Sequence, residues 1–230
     1  MQRRVRRDLH DLRPHKISFI SRDIAVNVVG IDVGGVRKGF HAVAISDGTY
    51  LSHFTTKDVG KLFDWCSETV RARVVAVDAP CRWRGAGHAR PAERELMRKG
   101  ISCFSTPTRK QAVEHPTDYF GWMLRGEALF KALEDEFPLC RKLPFVKGKR
   151  SFETFPHAIT WHLRGGNADA SKKRKQRAAL LSKAGIDLSE LTNMDLLDAA
   201  LCALAAYHLA IGRGCVSYGE HESGLIIVPK

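Results

Sequence analysis

Two aspartates stand where strand sequence has little use for them. Asp32 interrupts VVGIDVGG and Asp78 closes VVAVDAP, both Val-rich runs that read as strands buried on two faces. Asp198 poses the same problem within LLDAALCALAA, a stretch apolar almost all round and therefore a buried helix. An ionised carboxylate there costs several kcal/mol unless it pairs with a cation, keeps its proton or holds a metal. Asp195 lies three residues earlier on the same helical face, and Glu153 sits in FETFP, a strand-like segment able to reach the same sheet edge. Each acid also has a plain structural role open to it. Asp32 can cap the Gly34-Gly35 turn, Asp78 can make an Asx turn before Pro80, Asp195 can meet a helix dipole, and Glu153 can pair with a base such as Arg150. Convergence of several such groups favours a hard cation instead. Carboxylate-only ligation suits Mg²⁺ or Mn²⁺, and two ions about 3.5–4 Å apart activate water on one side of a phosphodiester and stabilise the leaving oxygen on the other. The expectation is metal-assisted phosphodiester hydrolysis with Asp32, Asp78, Glu153 and Asp198 as catalytic acids. Asp32 would bridge both ions, Asp78 and Asp198 would each complete one shell, and Asp195 or Glu153 would add a ligand or accept a proton.

The elements that must hold these acids follow from hydrophobic period. From Ile24, AVNVVGIDVGG reads as a buried strand ended by paired glycines. GFHAVAIS and Tyr50 to Phe54 form a hairpin with it and with each other, the second turn being Asp47-Gly48. Lys57 to Val70 carries Val59, Leu62, Phe63, Cys66 and Val70 at helical spacing before the strand RVVAV, so a right-handed parallel crossover is expected. Residues 81 to 150 form a basic interlude with two helical stretches, Pro91 to Lys99 and Thr117 to Phe137. SFETF reads as a short strand stopped by Pro156, and SKKRKQRAALLSKAG as a helix ended at Gly185. Asn193 caps a final helix, Met194 to Ile211, and GLIIVP closes the chain as an edge strand.

With 37 Lys and Arg against 25 Asp and Glu, the 230-residue chain carries a formal charge of +12, and its 44% apolar content excludes a disordered or fibrous protein. The positive excess favours phosphate-bearing partners, nucleic acid first. Candidate phosphate contacts are Arg37 and Lys38 in the first hairpin, Arg84 and Arg109 in the interlude beside Trp83, the run Arg141 to Arg150, and Lys172, Lys173 and Arg174. His115, His157 and His162 read as capping or packing residues, with His157 the best placed for proton transfer. The six cysteines show no CxxC and no recurring spacing, as expected of reduced thiols in a cytoplasmic protein. No stretch is long and apolar enough to suggest a membrane span or a secretory signal, and residues 1–23 read as a basic extension ahead of a single domain, 24–230.

The order of these pieces resembles the RNase H fold: a three-strand meander with an acid on its first strand, a helix, an acid-tipped fourth strand and a last helix bearing another acid. More closely, VVGIDVGGVRKGFHAVAI, VVAVDAPCRW, RPAERELMRKGISCFSTPT, WMLRGEALFKAL, FETFPHA, MDLLDAALCALAAY and GLIIVP resemble a family of predicted RNase H-like nucleases catalogued as a domain of unknown function. The resemblance spans roughly residues 25 to 229. It implies an α/β domain with a five-stranded mixed sheet flanked by helices, a helical insertion between the fourth and fifth strands, and divalent-metal nuclease activity. Asp32, Asp78 and Asp198 then fall on the acidic positions of the superfamily, and Glu153 on an acid particular to the family. Asp195 and Asp198 are similar to the two acids on the last helix of Holliday-junction resolvases. Arg90, Glu93 and Arg94 match a polar family motif that makes Arg90 a candidate substrate contact. Two other classes stay open: a nucleic-acid-binding scaffold that cleaves nothing, and an ATPase of the actin and sugar-kinase type, whose first phosphate loop GIDVGG resembles.

Overall fold

The computed structural model describes residues 25–144 and 147–230; the basic extension, residues 1–23, lies outside the described residues. The first three strands are β1 (Asn27–Val33), β2 (Phe40–Ser46) and β3 (Thr49–Thr56), an antiparallel meander. Its second turn puts Asp47 and Gly48 at φ 47° and 85°, the left-handed pair that a two-residue hairpin of matching twist demands. Helix α1 (Val59–Asp64) starts where the Asp58 side chain accepts the Gly60 and Lys61 N–H groups, and it continues as one π-helical turn, Trp65–Thr69. The chain then enters β4 (Val74–Asp78), parallel to β1.

Between β4 and the parallel strand β5 (Arg150–Glu153) the interlude carries α2 (Pro91–Arg98), α3 (Arg109–Val113), a 3₁₀ turn (Asp118–Phe120) and α4 (Gly121–Leu133). Expected as one helix over 117–137, the last stretch opens with the 3₁₀ turn, passes directly into α4 and ends at Leu133; Asp118 occupies the space beside Gly121, where a Cβ would lie 1.8 Å from its Oδ1. Helix α5 (Pro156–Leu163) begins at the proline that stops β5, using it as a first-turn residue. Helix α6 (Lys173–Lys183) ends at Gly185, φ 84°, and α7 (Met194–Ala210) is capped by Asn193, whose Oδ1 accepts the Leu196 N–H at 2.8 Å.

The sheet has seven strands, not the five expected. Strands β6 (Cys215–Tyr218) and β7 (Ile226–Pro229) add to it, in the order β3-β2-β1-β4-β5-β7-β6. The closing segment is not an edge, because β6 pairs antiparallel with β7 and shields it from solvent. CVSY escaped sequence reading because four residues carry too little alternation to stand out. All six cysteines are free thiols, and among the described residues no helix is long and apolar enough to cross a membrane.

Two apolar layers sandwich the sheet. Val29, Ile31, Val75 and Val77 face α1 and α4, while Val28, Val74, Ala76 and Phe152 face α7. Helix α7 lies directly on β1: a Cβ at Gly30 would stand 2.0 Å from the Ala203 nitrogen and 2.1 Å from the Ala199 oxygen. Only glycine on the strand and alanines on the helix permit that approach, and it carries the acids of α7 to the carboxyl ends of β1 and β4.

Candidate metal and nucleic-acid site

Strand register settles which acids meet. Asp32 is the cross-strand partner of Asp78 on the parallel neighbour β4 and of His41 on the antiparallel neighbour β2. Two residues on from Gly30, Asp32 shares the α7 side of the sheet, as does Asp78, two residues on from Ala76. Strand spacing sets their backbones about 4.8 Å apart. Asp198, next to the Ala199 that touches Gly30, and Asp195 one turn earlier complete the group. No hydrogen bond or ion pair to the carboxylate of Asp32 or Asp78 forms among the described residues.

The electrostatics reflect that isolation. Burial first, then the charges of Asp198 and Asp195, push the Asp32 carboxyl from its ordinary 3.8 up to about 8. Burial and the neighbouring Asp32 and Asp198 hold the Asp78 carboxyl well above the usual carboxylate range. Burial also raises Asp198, against the pull of Arg177. That arginine, 6% exposed on α6, is ion-paired to Asp198. Lys38 Nζ holds both oxygens of Asp195 at 2.8 and 3.0 Å, and His41 Nε2 stands 3.6 Å from the same carboxylate. Burial lowers the pKa of His41, so its ring is neutral at pH 7.

Hard oxygen donors without protein partners are what a divalent ion of the Mg²⁺ or Mn²⁺ type requires, so the donor chemistry of Asp32 and Asp78 fits such an ion. The spacing is not yet that of a bound ion, since among the described residues no three His, Cys, Asp or Glu side chains stand close enough to hold a metal together. Arg177 and Lys38 each pair with one of the two helix acids that would complete the set.

Glu153 goes elsewhere. Its register partner is Val77, one residue short of Asp78, which sends it toward the opposite layer. There Arg90 clasps it at 2.8 and 2.5 Å while the Cys81 N–H donates at 2.8 Å. Arg90 also holds Glu93 at 2.8 Å through Nε, and Glu93 accepts from Thr106 N–H and Oγ1. Arg90, Glu93, Thr106 and Glu153 are all at most 4% exposed. Arg90 therefore has no face left for a substrate phosphate, and Glu153 contributes to the acid group only a weak repulsion on Asp78. Both depart from the sequence expectation because FETFP and the RPAERE stretch reveal burial but not which carboxylate meets which base.

The other predicted contacts are distributed unevenly. Lys38 and Lys173 lie within electrostatic reach of Asp198, and Arg37 is exposed in the turn beside Lys38. Arg84 is tied to the Thr106 and Gly87 carbonyls and to Gln111. Arg109 pairs with Glu127 at 2.9 Å, a carboxylate that also accepts from Trp83. Lys172 stands 3.4 Å from Asp169, and Arg174 donates to the Thr192 carbonyl. Arg150 starts β5, at the sheet end opposite Asp78. Burial and then Arg177 lower the pKa of His157, and among the described residues none of His157, His115 and His162 bonds an acid.

Arg177 and His41 are the residues that sequence reading passed over. Arg177 was legible only as the base that shares a helical face with Leu180 and Leu181. His41 was legible by counting back across the hairpin from Asp32.

A family model described as "Protein of unknown function (DUF429)" matches residues 30–223. No curated protein matches the chain. Among solved structures, the chain is similar to Thermus thermophilus RuvC at 17% identity, covering 81% of this chain and 97% of that one, with a TM-score of 0.43. It is also similar to T. thermophilus RuvC in complex with a Holliday junction substrate, at 16% identity and 81% and 96% coverage, with a TM-score of 0.45. The family match runs from the strand that carries Asp32 through the helix that carries Asp198, and the chain belongs to the DUF429 family.

Proposed function

We propose that the protein is a divalent-metal-dependent nuclease whose working acids are Asp32, Asp78 and Asp198, with Asp195 in reserve. The supporting observation is the pair Asp32 and Asp78: register partners on parallel strands, half-buried, without a hydrogen bond or ion pair among the described residues, and driven toward protonation by desolvation first and then by Asp198, with Asp32 also raising Asp78. A divalent ion, when bound, supplies a Lewis acid and an activated water for attack on a phosphodiester. Asp32 and Asp78 would hold the first ion. A second needs Asp198 or Asp195, so Arg177 or Lys38 must let go of its carboxylate. The released Lys38 ammonium, 62% exposed, is then free to meet a phosphate oxygen of the substrate. His41, buried beside Asp195, would keep that side of the site dry.

The test is calorimetric titration of Mn²⁺ and Mg²⁺ into the parent and into Asp32→Asn, alongside incubation with single-stranded, duplex and branched DNA and RNA. Saturable metal binding and cleavage that both disappear in Asp32→Asn support the reading; metal binding unchanged in the variant refutes it.

A second reading has its own observation. Arg177 and Lys38 already neutralise both helix acids, which is the state expected of a nucleic-acid-binding scaffold that needs no ion. Tight nucleic-acid binding indifferent to divalent ions, with no cleavage, would favour it. The phosphate-loop reading of GIDVGG finds no support: the Gly34 and Gly39 N–H groups are spent on Gly39 and Gly35 carbonyls at 2.8 and 2.9 Å, closing the loop on itself.

A further inference from the structure

Beside the acids, the interlude builds an exposed aromatic wall that the hydrophobic core does not use. Phe104 is 44% exposed and Tyr119 56% exposed. Their rings stand 5.9 Å apart, and each packs on Phe120, Phe104 at 6.1 Å and Tyr119 at 4.9 Å. Trp122 meets Phe104 edge-on at 6.3 Å, and His115 stacks on Tyr119 at 5.5 Å. The rings buttress one another and leave faces open to solvent, a costly arrangement for side chains whose burial would contribute about 1.5–3 kcal/mol each.

The position of the wall points to its use. On one side Phe104 and Trp122 line a small cavity, about 60 Å³, that Asp78 and Phe155 also line. The turn that carries Tyr119 also lies near the loop that follows β1, since Asp118 Oδ2 is 3.7 Å from where a Cβ at Gly35 would stand. On the other side Phe120 and His115 line an open cleft of about 530 Å³ with Arg84 and His88. Among the described residues the Arg84 guanidinium bonds only neutral acceptors, the Thr106 and Gly87 carbonyls and the Gln111 amide oxygen, and no carboxylate there balances its charge. Asp78, the aromatic cluster and Arg84 thus line two openings that meet at the same group of rings.

We propose that Phe104 and Tyr119 form a base-stacking platform, and that the substrate of the site is nucleic acid with unpaired bases in the stretch next to the scissile phosphate. This deepens the nuclease reading and rests on it for the role of the acids. Unpaired bases offer π faces to these rings, whereas in a duplex the same faces are covered by neighbouring pairs; Arg84 would take the backbone phosphate while the base lies on the wall. Stacking reads no base edge, so the platform accepts any sequence and either sugar.

The experiment reads binding, not cleavage, with EDTA present. Fluorescein-labelled oligothymidylate, oligouridylate and a blunt DNA duplex of equal phosphate count are titrated with the full chain, and affinity is followed by anisotropy. The parent should bind both single strands more tightly than the duplex. Phe104→Ala and Tyr119→Ala should each weaken single-strand binding by about tenfold and leave duplex binding unchanged, while Phe104→Tyr and Tyr119→Phe retain it. Alanine variants that bind like the parent, equal losses on duplex and single strand, or no oligonucleotide binding at all would overturn the proposal. Photo-crosslinking of the unaltered parent to an oligonucleotide carrying 5-iodouracil guards against misfolded variants. Crosslinks in the peptides of Phe104 or Tyr119 support the platform, and crosslinks confined to other peptides refute it. Because no metal is present, a protein that never cleaves can still pass; if Asp32→Asn abolishes cleavage while the ring variants bind as before, the platform fails and the metal site stands.

Discussion

Asp78 and Glu153 lie one residue apart in register on neighbouring strands, and the protein treats them in opposite ways. Glu153 is met by a bidentate arginine and a backbone N–H, and that arginine is itself shared with Glu93, so every charge in the network has a partner. Among the described residues Asp78 and its neighbour Asp32 have no such partner, and the repulsion that Asp32 and Asp198 exert on Asp78 is left standing. Both regions withdraw carboxylates from solvent, Glu153 fully and Asp32 and Asp78 in part, so burial alone says nothing about function. What separates them is compensation: a buried ion pair with its remaining bonds filled holds a fold together, whereas an uncompensated pair of carboxylates stores an affinity for a cation.

The largest effect expected from this contrast is on turnover. Asp32→Asn and Asp78→Asn should each lower metal-dependent cleavage by about a thousandfold, the loss of roughly 4 kcal/mol of transition-state stabilisation, while the folded chain persists in circular dichroism. Equal activity in either variant would erase the distinction between the two regions.

Next in size is the response of the compensated network. Arg90→Met strands two buried carboxylates, and Glu153→Gln removes the charge that Arg90 faces most directly; either should cost about 3–5 kcal/mol of stability. For a chain of this length that lowers the melting temperature by about 10 °C, read by thermal denaturation. Arg90→Met that melts like the parent yet binds nucleic acid poorly would restore Arg90 to the substrate contacts.

The pH profile then separates the regions without touching substrate. The Asp32 carboxyl, pushed up to about 8 from 3.8, holds its proton more tightly folded than unfolded. Between those two values the folded chain therefore binds more protons than the unfolded one, and stability must fall as pH rises, until the loss is complete above about pH 8. In metal-free buffer Asp32→Asn should melt several degrees above the parent at pH 8 and nearly with it at pH 4. Adding Mn²⁺ at pH 8 should raise the parent and leave the variant where it was, since only a ligand of the folded state shifts the midpoint. A parent that gains stability from pH 4 to 8 at this site would contradict the repulsion argued for Asp32.

The sequence legibility of these regions follows the range of the interactions involved. The meander, the Asp47-Gly48 turn and the Asn193 cap are local devices, and period and turn chemistry display them. So is the oddity of Asp32, Asp78 and Asp198, because an acid in an apolar run is visible without a partner. The partners themselves come from far along the chain: Arg177 reaches Asp198 from another helix, Arg90 reaches Glu153 across 63 residues, and Lys38 reaches Asp195 across 157. Nothing in a one-dimensional reading distinguishes Arg177 from Arg174. The same limit hid the strand position of Glu153, since a shift of one residue in register changes the face it points to. Strand β6 was hidden for a different reason, its four residues being too short to show alternation.

The smallest effect tests whether the cations at the acid group are struts or placeholders. Lys38 is 62% exposed, and its bond to Asp195 is a surface pair worth about 0–1 kcal/mol. Lys38→Gln should thus leave the melting temperature within a degree or two of the parent. Its ammonium nevertheless competes with any ion for the carboxylates, and removing one positive charge at that range changes ion affinity by about 1 kcal/mol, or roughly fivefold. Mn²⁺ should bind Lys38→Gln more tightly by that factor in calorimetric titration. Tighter binding with unaltered stability would mark Lys38 as a counter-ion that yields its place. Lost stability with no gain in affinity would instead make it a strut of the kind that Arg90 is on the far side of the sheet, and the contrast between the two regions would narrow to Asp32 and Asp78 alone.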